Sequence, residues 1–434
     1  KVKIIKLITL ILFSFWASLG AQKENKQVYL QNTSSSTLEQ LEELHIRGGL
    51  PNFFSKVTKA RHIHIGYLGG SITAAEDGWR EQTYNWFRVQ YPQVIITHNN
   101  AGIGGTGSSL GVFRVETDLL KDNPDLVFVE FAVNDGGQPK ENVIKTMEGI
   151  VRKLRTLSPK TDICFVYTVD DSKCEVLMEG QLDNAVHAME TVADHYQIPS
   201  IHMGIEVAKL RKSGKLTFAA DLTENTKTIV FTKDHVHPLS VSGHPLYANV
   251  VARNILKIRD AQTSVKCKSL PAPLYPDNWE KAQKINVADL PRTGSCLLLP
   301  ESHEFMKMFS GFIPQIYRVE PGTIFSFSFT GTTIGIYDVV GPMAGKIKLT
   351  IDGKAQEFTR FDKYCTYNRL GYLIMADHLE NKRHTIELEF LDETVDKENI
   401  LPKGDQEFYR KNKKLYNKTE YYIGNVLIVG TTNL

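Results

Sequence analysis

The sequence predicts an α/β fold, a three-layer sandwich with a parallel sheet, joined to a C-terminal all-β sandwich of jelly-roll type. From 62 to about 258, short runs rich in Val, Ile, Phe and Tyr alternate with patterns of helical periodicity. After about 262, the proline-rich stretch KSLPAPLYPDNW is followed by strand patterns without helical ones. At 434 residues the chain is also long enough for two domains.

The first part contains four clear strand patterns, at 62–68, 94–97, 126–133 and 163–169. The third, LVFVEFAV, is nearly all apolar, as expected of a central parallel strand that is buried on both faces. Helices are predicted between and after these strands, at about 79–91, 111–122, 140–157, 178–196 and 243–258. In the last of them, apolar residues recur at helical spacing along one face.

The second part shows alternation with a period of two residues. Phe325, Phe327 and Phe329 alternate with serines, and the run 386–390 alternates apolar residues with glutamates. The stretch KIKLTIDGK at 346–354 ends in Asp352-Gly353, a hairpin turn signal. These patterns predict a β sandwich over 291–434.

The N-terminal 21 residues have the order of a secretory signal. Three lysines precede the apolar run LITLILFSFWASLG, which small residues and a polar stretch follow. That run is shorter than the roughly 20 residues of a membrane-spanning helix. We therefore predict an exported protein, periplasmic or secreted, without stable membrane insertion after signal removal. The predicted division is a signal peptide (1–21), an N-terminal extension (22–60), an α/β domain (61–260), a linker (261–290) and the β sandwich (291–434).

Composition excludes some partners. A net charge of +2 gives no electrostatic case for nucleic acid, whose binding proteins carry a concentrated basic face. Five scattered cysteines without a C-x-x-C pair predict neither a zinc ribbon nor a disulfide framework. In an exported protein, a single disulfide bond between two of them is still compatible with the sequence.

Polar and glycine-rich groups follow the predicted strands at their carboxyl ends, where functional groups of parallel sheets gather. The first strand runs into Gly69-Gly70-Ser71, and the second is followed by the glycine-rich NNAGIGGTGS at 99–108. The third ends at Asn134, and KDHVHP at 233–238 precedes the last helix. Each piece alone is weak, because such sequences are usually turns. In this order they supply every part that acyl transfer requires.

The predicted roles follow from the chemistry of serine. Ser71 becomes a nucleophile only when a base takes its proton; His237 can be that base, and Asp234 can orient its ring. The tetrahedral intermediate needs hydrogen-bond donors for its oxyanion. The backbone N–H groups of Ser71 and Gly105 and the side-chain amide of Asn134 could supply them. This chemistry uses no cofactor and no metal.

These blocks resemble the four blocks of the SGNH hydrolase superfamily, the GDSL-like esterases, over about 62–258. The resemblance implies a Ser71–His237–Asp234 triad and an oxyanion hole of Ser71, Gly105 and Asn134. The sequence departs from the family's GDS block, since GGSIT lacks the Asp before the serine. That Asp is outside the triad. Alignment of NAGIGG with the family's block favours Gly105 over its neighbouring glycines.

Other sites compete for some of these residues. Histidines at 235, 237 and 244, with a second pair at 62 and 64, could bind a metal. Asp170 and Asp171 could form a glycosidase pair, although adjacent residues of a strand point to opposite faces. Arg80 could lie near the substrate, or the helix could begin there with Trp79 packed inward.

Combining the export signal, the blocks and the β sandwich, we expect a secreted serine esterase that hydrolyses small acyl esters, foremost O-acetyl, on a polysaccharide or oligosaccharide. Two-domain carbohydrate acetylesterases with a jelly-roll domain have a similar organisation. The alternatives are a lipase or thioesterase of the same superfamily and a non-catalytic glycan-binding protein. The β domain could bind glycan, wall the active site or stabilise the chain. Tyr364, Tyr367 and Tyr372 could stack on sugars or belong to the core.

Overall fold

The computed structural model describes residues 37–59, 61–222, 227–261 and 270–432. The predicted signal peptide, residues 1–21, lies outside these ranges. Across the ranges described, no helix is both long and apolar enough to cross a bilayer.

The first part is built on a six-stranded sheet with the spatial order β1–β6–β5–β4–β2–β3. All neighbours pair in parallel except β1, which pairs antiparallel with β6 at one edge. Every residue of β4 is buried, as its apolar sequence predicts. The strands are β1 (Leu44–His45), β2 (His62–Gly69), β3 (Ile95–Gly102), β4 (Leu126–Glu130), β5 (Asp162–Tyr167) and β6 (Ser200–His202).

Helices cover both faces of this sheet, which makes the predicted three layers. One face packs against Pro51–Val57, Trp79–Gln90, Met203–Lys212 and Gly243–Asp260 through a continuous apolar cluster. The other face packs against Ser108–Arg114, Lys140–Leu157 and Asn184–Tyr196. The α/β part also contains the helices Ser71–Ala74 and Asp171–Met178, the short strands β7 (Leu216–Thr217) and β8 (Ile229–Val230), and a 3-10 helix at Leu38–Gln40.

Two predicted helices differ from the structure. The pattern at 178–196 covers the end of one helix and the whole of the next, because Gly180 has a left-handed φ of +78° and Asp183 caps the second helix. The pattern at 111–122 is one α-helix, Ser108–Arg114, continued by a π-helical turn at Val115–Leu119 and a 3-10 turn at Leu120–Asp122. The strand β6 and the helix after it escaped prediction, since a three-residue strand carries little pattern.

The second part is built on a sheet of ten antiparallel strands, as its period-two patterns predict. Ten strands are hydrogen-bonded around the long strand β13, which pairs with β18 on one side and with β17 and then β16 on the other. The strands are β9 (Ala282–Asn286), β10 (Arg292–Thr293), β11 (Cys296–Leu298), β12 (Tyr317–Val319), β13 (Ile324–Val340), β14 (Lys346–Ile351), β15 (Lys354–Thr359), β16 (Arg369–Ala376), β17 (Lys382–Phe390) and β18 (Tyr421–Thr432).

The alternating phenylalanines of β13 are buried in the core of this part, with Phe325 opposite Leu388 of β17. Asp352 and Gly353, both left-handed, form the predicted hairpin turn between β14 and β15. Contrary to the sequence pattern, short helices occur here as well. They are the α-helices Glu304–Phe309, Lys397–Ile400, Gln406–Lys411 and Lys413–Tyr416, and the 3-10 helices Trp279–Lys281 and Val287–Asp289.

The two parts share an apolar interface. The cluster on the second face of the α/β sheet continues through Phe113 to Trp279 and on to Tyr337 and Leu427 of the β part. Strand β9, which falls in the predicted linker 261–290, pairs with β18, so that stretch contributes to the sheet. Residues 37–59 of the predicted N-terminal extension likewise contribute β1 to the α/β sheet. The β part is thus packed against the helix layer on the second face of the parallel sheet, where Phe113 contacts Trp279.

Candidate active site

Ser71 lies at the end of the central strand β2 and begins the short helix Ser71–Ala74. The residue before it is glycine for a steric reason. A Cβ on Gly70 would lie 2.0 Å from Oδ1 of Asn134. With Asn134 in this position, a side chain at position 70 would clash with it, and glycine avoids that clash.

His237 bridges Ser71 and Asp234. Its Nε2 lies 2.9 Å from Oγ of Ser71, and its Nδ1 lies 2.6 Å from Oδ2 of Asp234. The second carboxylate oxygen of Asp234 accepts the backbone N–H groups of Val236, at 3.0 Å, and of His237, at 2.8 Å. The carboxylate thus holds both the ring and the chain that carries it. These distances suit proton transfer from the hydroxyl to the imidazole.

The hydrogen bonds to Asp234 keep it ionised. Partial burial alone would raise its pKa, but the bonds from the His237 ring and from the backbone of His237 and Val236 outweigh this and lower the pKa to about 2. Because the pKa is depressed, the stability from these bonds is present at neutral pH and is lost only as the pH falls toward 2. An ionised Asp234 accepts the Nδ1 proton and leaves Nε2 free to accept from Ser71.

The predicted oxyanion groups lie around Ser71. A Cβ on Gly104 would be 3.8 Å from Cβ of Ser71, so the loop after β3 passes directly beside the serine. Gly105 has a left-handed φ of +71°, which favours glycine at this bend. Asn134, just beyond β4, places its side chain against Gly70. The structure therefore brings together all five residues predicted from the sequence.

These groups open into a cleft of about 1160 Å³ between the two parts of the protein. The α/β side contributes Ser71, the loop from Gly102 to Ser109, Asn134 and His237. The β side contributes the loop after β15 and the strand β16, including Asp362, Tyr364, Tyr367 and 368–374. The β part therefore forms one wall of the candidate site.

The three tyrosines considered for sugar contact have different environments. Tyr364 and Tyr367 are 55% and 59% exposed at the cleft. Tyr372 is instead partly buried, and its hydroxyl lies 2.9 Å from Oγ of Ser109 in the helix that follows the glycine-rich loop. Tyr372 thus links the β part to the segment that carries Gly105. Tyr364 and Tyr367 line the cleft, and the ammonium of Lys363 lies over the Tyr364 ring at 4.9 Å.

Two buried acids beside the site were not predicted. Glu130, the last residue of β4, accepts hydrogen bonds from Thr73 at 2.9 Å and Thr168 at 2.5 Å, and burial raises its pKa despite these bonds. Asp135 accepts the backbone N–H of Ser108 at 3.0 Å, and burial raises its pKa to about 7. Both join loops around Ser71 to β4. Glu130 is the single charged residue in the apolar run LVFVEFAV. That position could have indicated a buried acid with hydrogen-bond partners, since a buried charge needs them.

The histidines proposed as metal ligands are dispersed. His62 and His64 both contact the hydroxyl of Thr97. His244 is buried, accepts the backbone N–H of Trp79 at 3.0 Å, and has its pKa lowered to about 4, mainly by burial. In the stretches of chain that the structure describes, His, Cys, Asp and Glu side chains form no group of three suited to a metal ion.

The other competing residues have structural partners. Asp170 caps the helix Asp171–Met178 by accepting the N–H of Lys173, and Asp171 pairs with His235 and Arg211. The two carboxylates therefore face different partners, as expected for adjacent residues.

Arg80 is buried and donates to the carbonyls of Thr73, at 3.1 Å, and Ala75, at 3.3 Å. It braces the turn that follows Ser71, and Trp79 is packed inward. The structure therefore supports the interpretation in which a helix begins here with Trp79 packed inward, and not the one in which Arg80 lies near the substrate.

The comparison with known proteins agrees with this geometry. The model of the GDSL-like Lipase/Acylhydrolase family matches residues 67–240, a range that contains all five candidate residues. The matched part of the α/β domain is thus similar to GDSL-like hydrolases. The protein is accordingly a carboxylic ester hydrolase, which favours the enzymatic hypotheses over the glycan-binding one. No curated protein sequence matches the chain significantly.

Solved structures extend the likeness beyond the hydrolase domain. A two-domain esterase active on acetylated mannans, crystallised with mannopentaose, matches with a TM-score of 0.67 at 22% identity, over 90% of this chain and 97% of that one. Another structure of a two-domain esterase active on acetylated mannans matches with a TM-score of 0.69 at 24% identity. The match covers 89% of this chain and 98% of that one. The shared fold therefore includes the β part as well as the hydrolase domain.

Proposed function

We propose that this protein is an exported serine esterase that removes small acyl groups, foremost O-acetyl, from a polysaccharide. The observation that carries the proposal is the hydrogen-bonded series Ser71–His237–Asp234, which opens into a cleft walled by both domains. Export rests on the sequence pattern of residues 1–21.

In the proposed mechanism, Nε2 of His237 takes the proton of Ser71 as Oγ attacks the ester carbonyl carbon. The tetrahedral intermediate collapses when the bond to the sugar oxygen breaks, and the same imidazole returns its proton to that oxygen. The acyl group then remains on Ser71. His237 next takes a proton from water, whose oxygen attacks the acyl carbon, and Ser71 leaves with the proton. Asp234 stabilises the imidazolium in both halves.

The oxyanion forms twice in this cycle, so its donors act in both halves. Asn134→Ala removes the one side-chain donor of the proposed hole, and we expect kcat to fall by about 10²–10³-fold. Steady-state kinetics on 4-nitrophenyl acetate measures this. The matched control is Asn142→Ala, a residue farther along the same cleft. A loss of less than threefold at Asn134 would remove it from the oxyanion hole.

The shape of the cleft supports a carbohydrate substrate. A volume of about 1160 Å³ far exceeds what an acetyl group requires. The β wall presents exposed tyrosine rings together with Asp362, Asn368 and Arg369, a combination that suits sugar faces and hydroxyl groups. The mannan-active esterases of like fold make acetylated mannan the first polymer to test.

The experiment that tests this function is acetate release from acetylated mannan, xylan and bacterial polysaccharides, with Ser71→Ala as control. Release from one polymer, abolished in the variant, is the expected result. Cleavage of small esters without release from any polymer would reject the polysaccharide assignment. Rates that rise from acetyl to octanoyl esters would favour the lipase or thioesterase alternative, in which the apolar residues of the cleft would hold the acyl chain.

A further inference from the structure

The acid–base pair lies on an exposed loop. The side chains of Asp234 and His237 are 54% and 51% exposed, so burial in the core does not fix their positions. Between them lies His235, whose φ of +70° places it in the left-handed region that non-glycine residues seldom adopt. A loop with this backbone conformation at its centre requires contacts that hold it.

Asp171 supplies two of these contacts. Its carboxylate oxygen Oδ2 lies 2.6 Å from Nδ1 of His235, and its backbone N–H donates to the carbonyl of His235 at 2.9 Å. The side chain and the backbone of His235 are therefore both held by one residue. That residue begins the helix Asp171–Met178, which follows the strand β5 of the main sheet.

Asp171 is itself anchored to the domain. The guanidinium of Arg211 lies 2.5 Å from its Oδ1 and donates to its backbone carbonyl at 3.1 Å. Arg211 in turn packs over the ring of Phe218, at 4.9 Å, and Phe218 contacts Phe231 in the buried core. The contacts run from the core through Arg211 and Asp171 to His235.

We propose that Asp171 and His235 are positioning residues that hold the Asp234–His237 loop at the distance from Ser71 that proton transfer requires. Neither residue lines the cleft, so they act through His237 and not on the substrate. This inference rests on the proposed serine-esterase mechanism. It gives a function to two residues for which the sequence had suggested other roles: His235 as a metal ligand and Asp171 as part of a glycosidase pair.

The test measures kcat and KM on 4-nitrophenyl acetate for a set of variants. We expect His235→Ala and Asp171→Ala each to lower kcat by about 10–100-fold, since a shift near 1 Å in a catalytic group costs up to about 10²-fold. KM should stay within about twofold, because His237 serves acylation and deacylation and both slow together. The kcat of the double variant should be about the same as that of the less active single variant, since the two residues form one contact.

Conservative replacements separate positioning from a general structural role. His235→Asn keeps a side-chain N–H near the place of Nδ1 and tolerates the left-handed conformation, so kcat should return to within about threefold of wild type. Asp171→Asn keeps an oxygen that can accept the bond from His235 and should recover most of the rate. Gln197→Ala is the matched control, because Gln197 is also exposed and left-handed, with a φ of +53°, at the end of a helix away from the cleft.

The outcomes distinguish this inference from the proposed function. If wild type depends on Ser71 while His235→Ala keeps kcat within twofold, the positioning role is wrong and the esterase mechanism stands. If the Asn variants fail to recover the rate while their thermal unfolding matches wild type, the inference is likewise overturned. If wild type and Ser71→Ala hydrolyse the ester equally, the proposed mechanism itself fails, and the inference with it.

Discussion

Ser71→Ala is expected to lower kcat for ester hydrolysis by about 10⁴–10⁶-fold, the range found when a catalytic serine is removed from a triad. The variant keeps the oxyanion donors and the cleft but has no oxygen that can form the acyl-enzyme. In the structure, the hydroxyl of Ser71 contacts Nε2 of His237 at the edge of the open cleft. Its removal should therefore leave the fold intact.

The measurement is steady-state hydrolysis of 4-nitrophenyl acetate by wild type and variant preparations of equal purity. The control is Asn142→Ala, which removes another polar side chain that lines the same cleft and is not proposed to react. Thermal unfolding of both variants should match wild type within a few degrees. Ser71→Ala with more than one tenth of the wild-type kcat would contradict the nucleophile assignment.

Asp234→Asn should give the second largest effect, a fall in kcat of about 10⁴-fold. The carboxamide oxygen can still accept the backbone N–H groups of Val236 and His237, so the loop should keep its conformation. Its NH₂ group, however, would face Nδ1 of His237 and favour the tautomer with the proton on Nε2. That tautomer cannot accept the proton of Ser71.

The same kinetic assay tests this prediction, with Asp221→Asn as control because Asp221 is 90% exposed and its ion pair with Lys233 spans 3.9 Å. The control should behave as wild type. A loss of less than tenfold for Asp234→Asn, with the loop otherwise intact, would show that orientation of His237 depends on other contacts.

Much of this site could be predicted because its parts follow strands of a parallel sheet. Ser71 and Asn134 come directly after β2 and β4, which are neighbours in the sheet, and Gly105 follows β3 on the other side of β2. Residues far apart in sequence are thereby gathered at one edge. The spacing of Asp234 and His237 lets one turn of the chain present both side chains to the same place, but it indicated a catalytic pair only together with the other blocks. The fold class followed from the same alternation of strand and helix.

The remaining parts depend on contacts that no local pattern encodes. The hydroxyl of Tyr372 meets Ser109 across 263 positions of the sequence, so the β wall of the cleft could only be raised as one possibility among three. The contact between Asp171 and His235 depends on the helix that begins at Asp171, and the sequence pattern placed that helix seven residues too late. Glu130 was not singled out within the apolar run LVFVEFAV, because its partners, Thr73 and Thr168, come from two other segments.

The central claim, that Ser71 is the nucleophile, is tested most directly by covalent labelling. A fluorophosphonate reacts with an activated serine hydroxyl and remains attached as a stable ester. We predict one adduct per chain by intact mass spectrometry, located by peptide mapping on Ser71, with loss of activity in proportion to labelling and no adduct in His237→Ala. Complete inactivation with the adduct on another residue, or with Ser71 unmodified, would contradict the account.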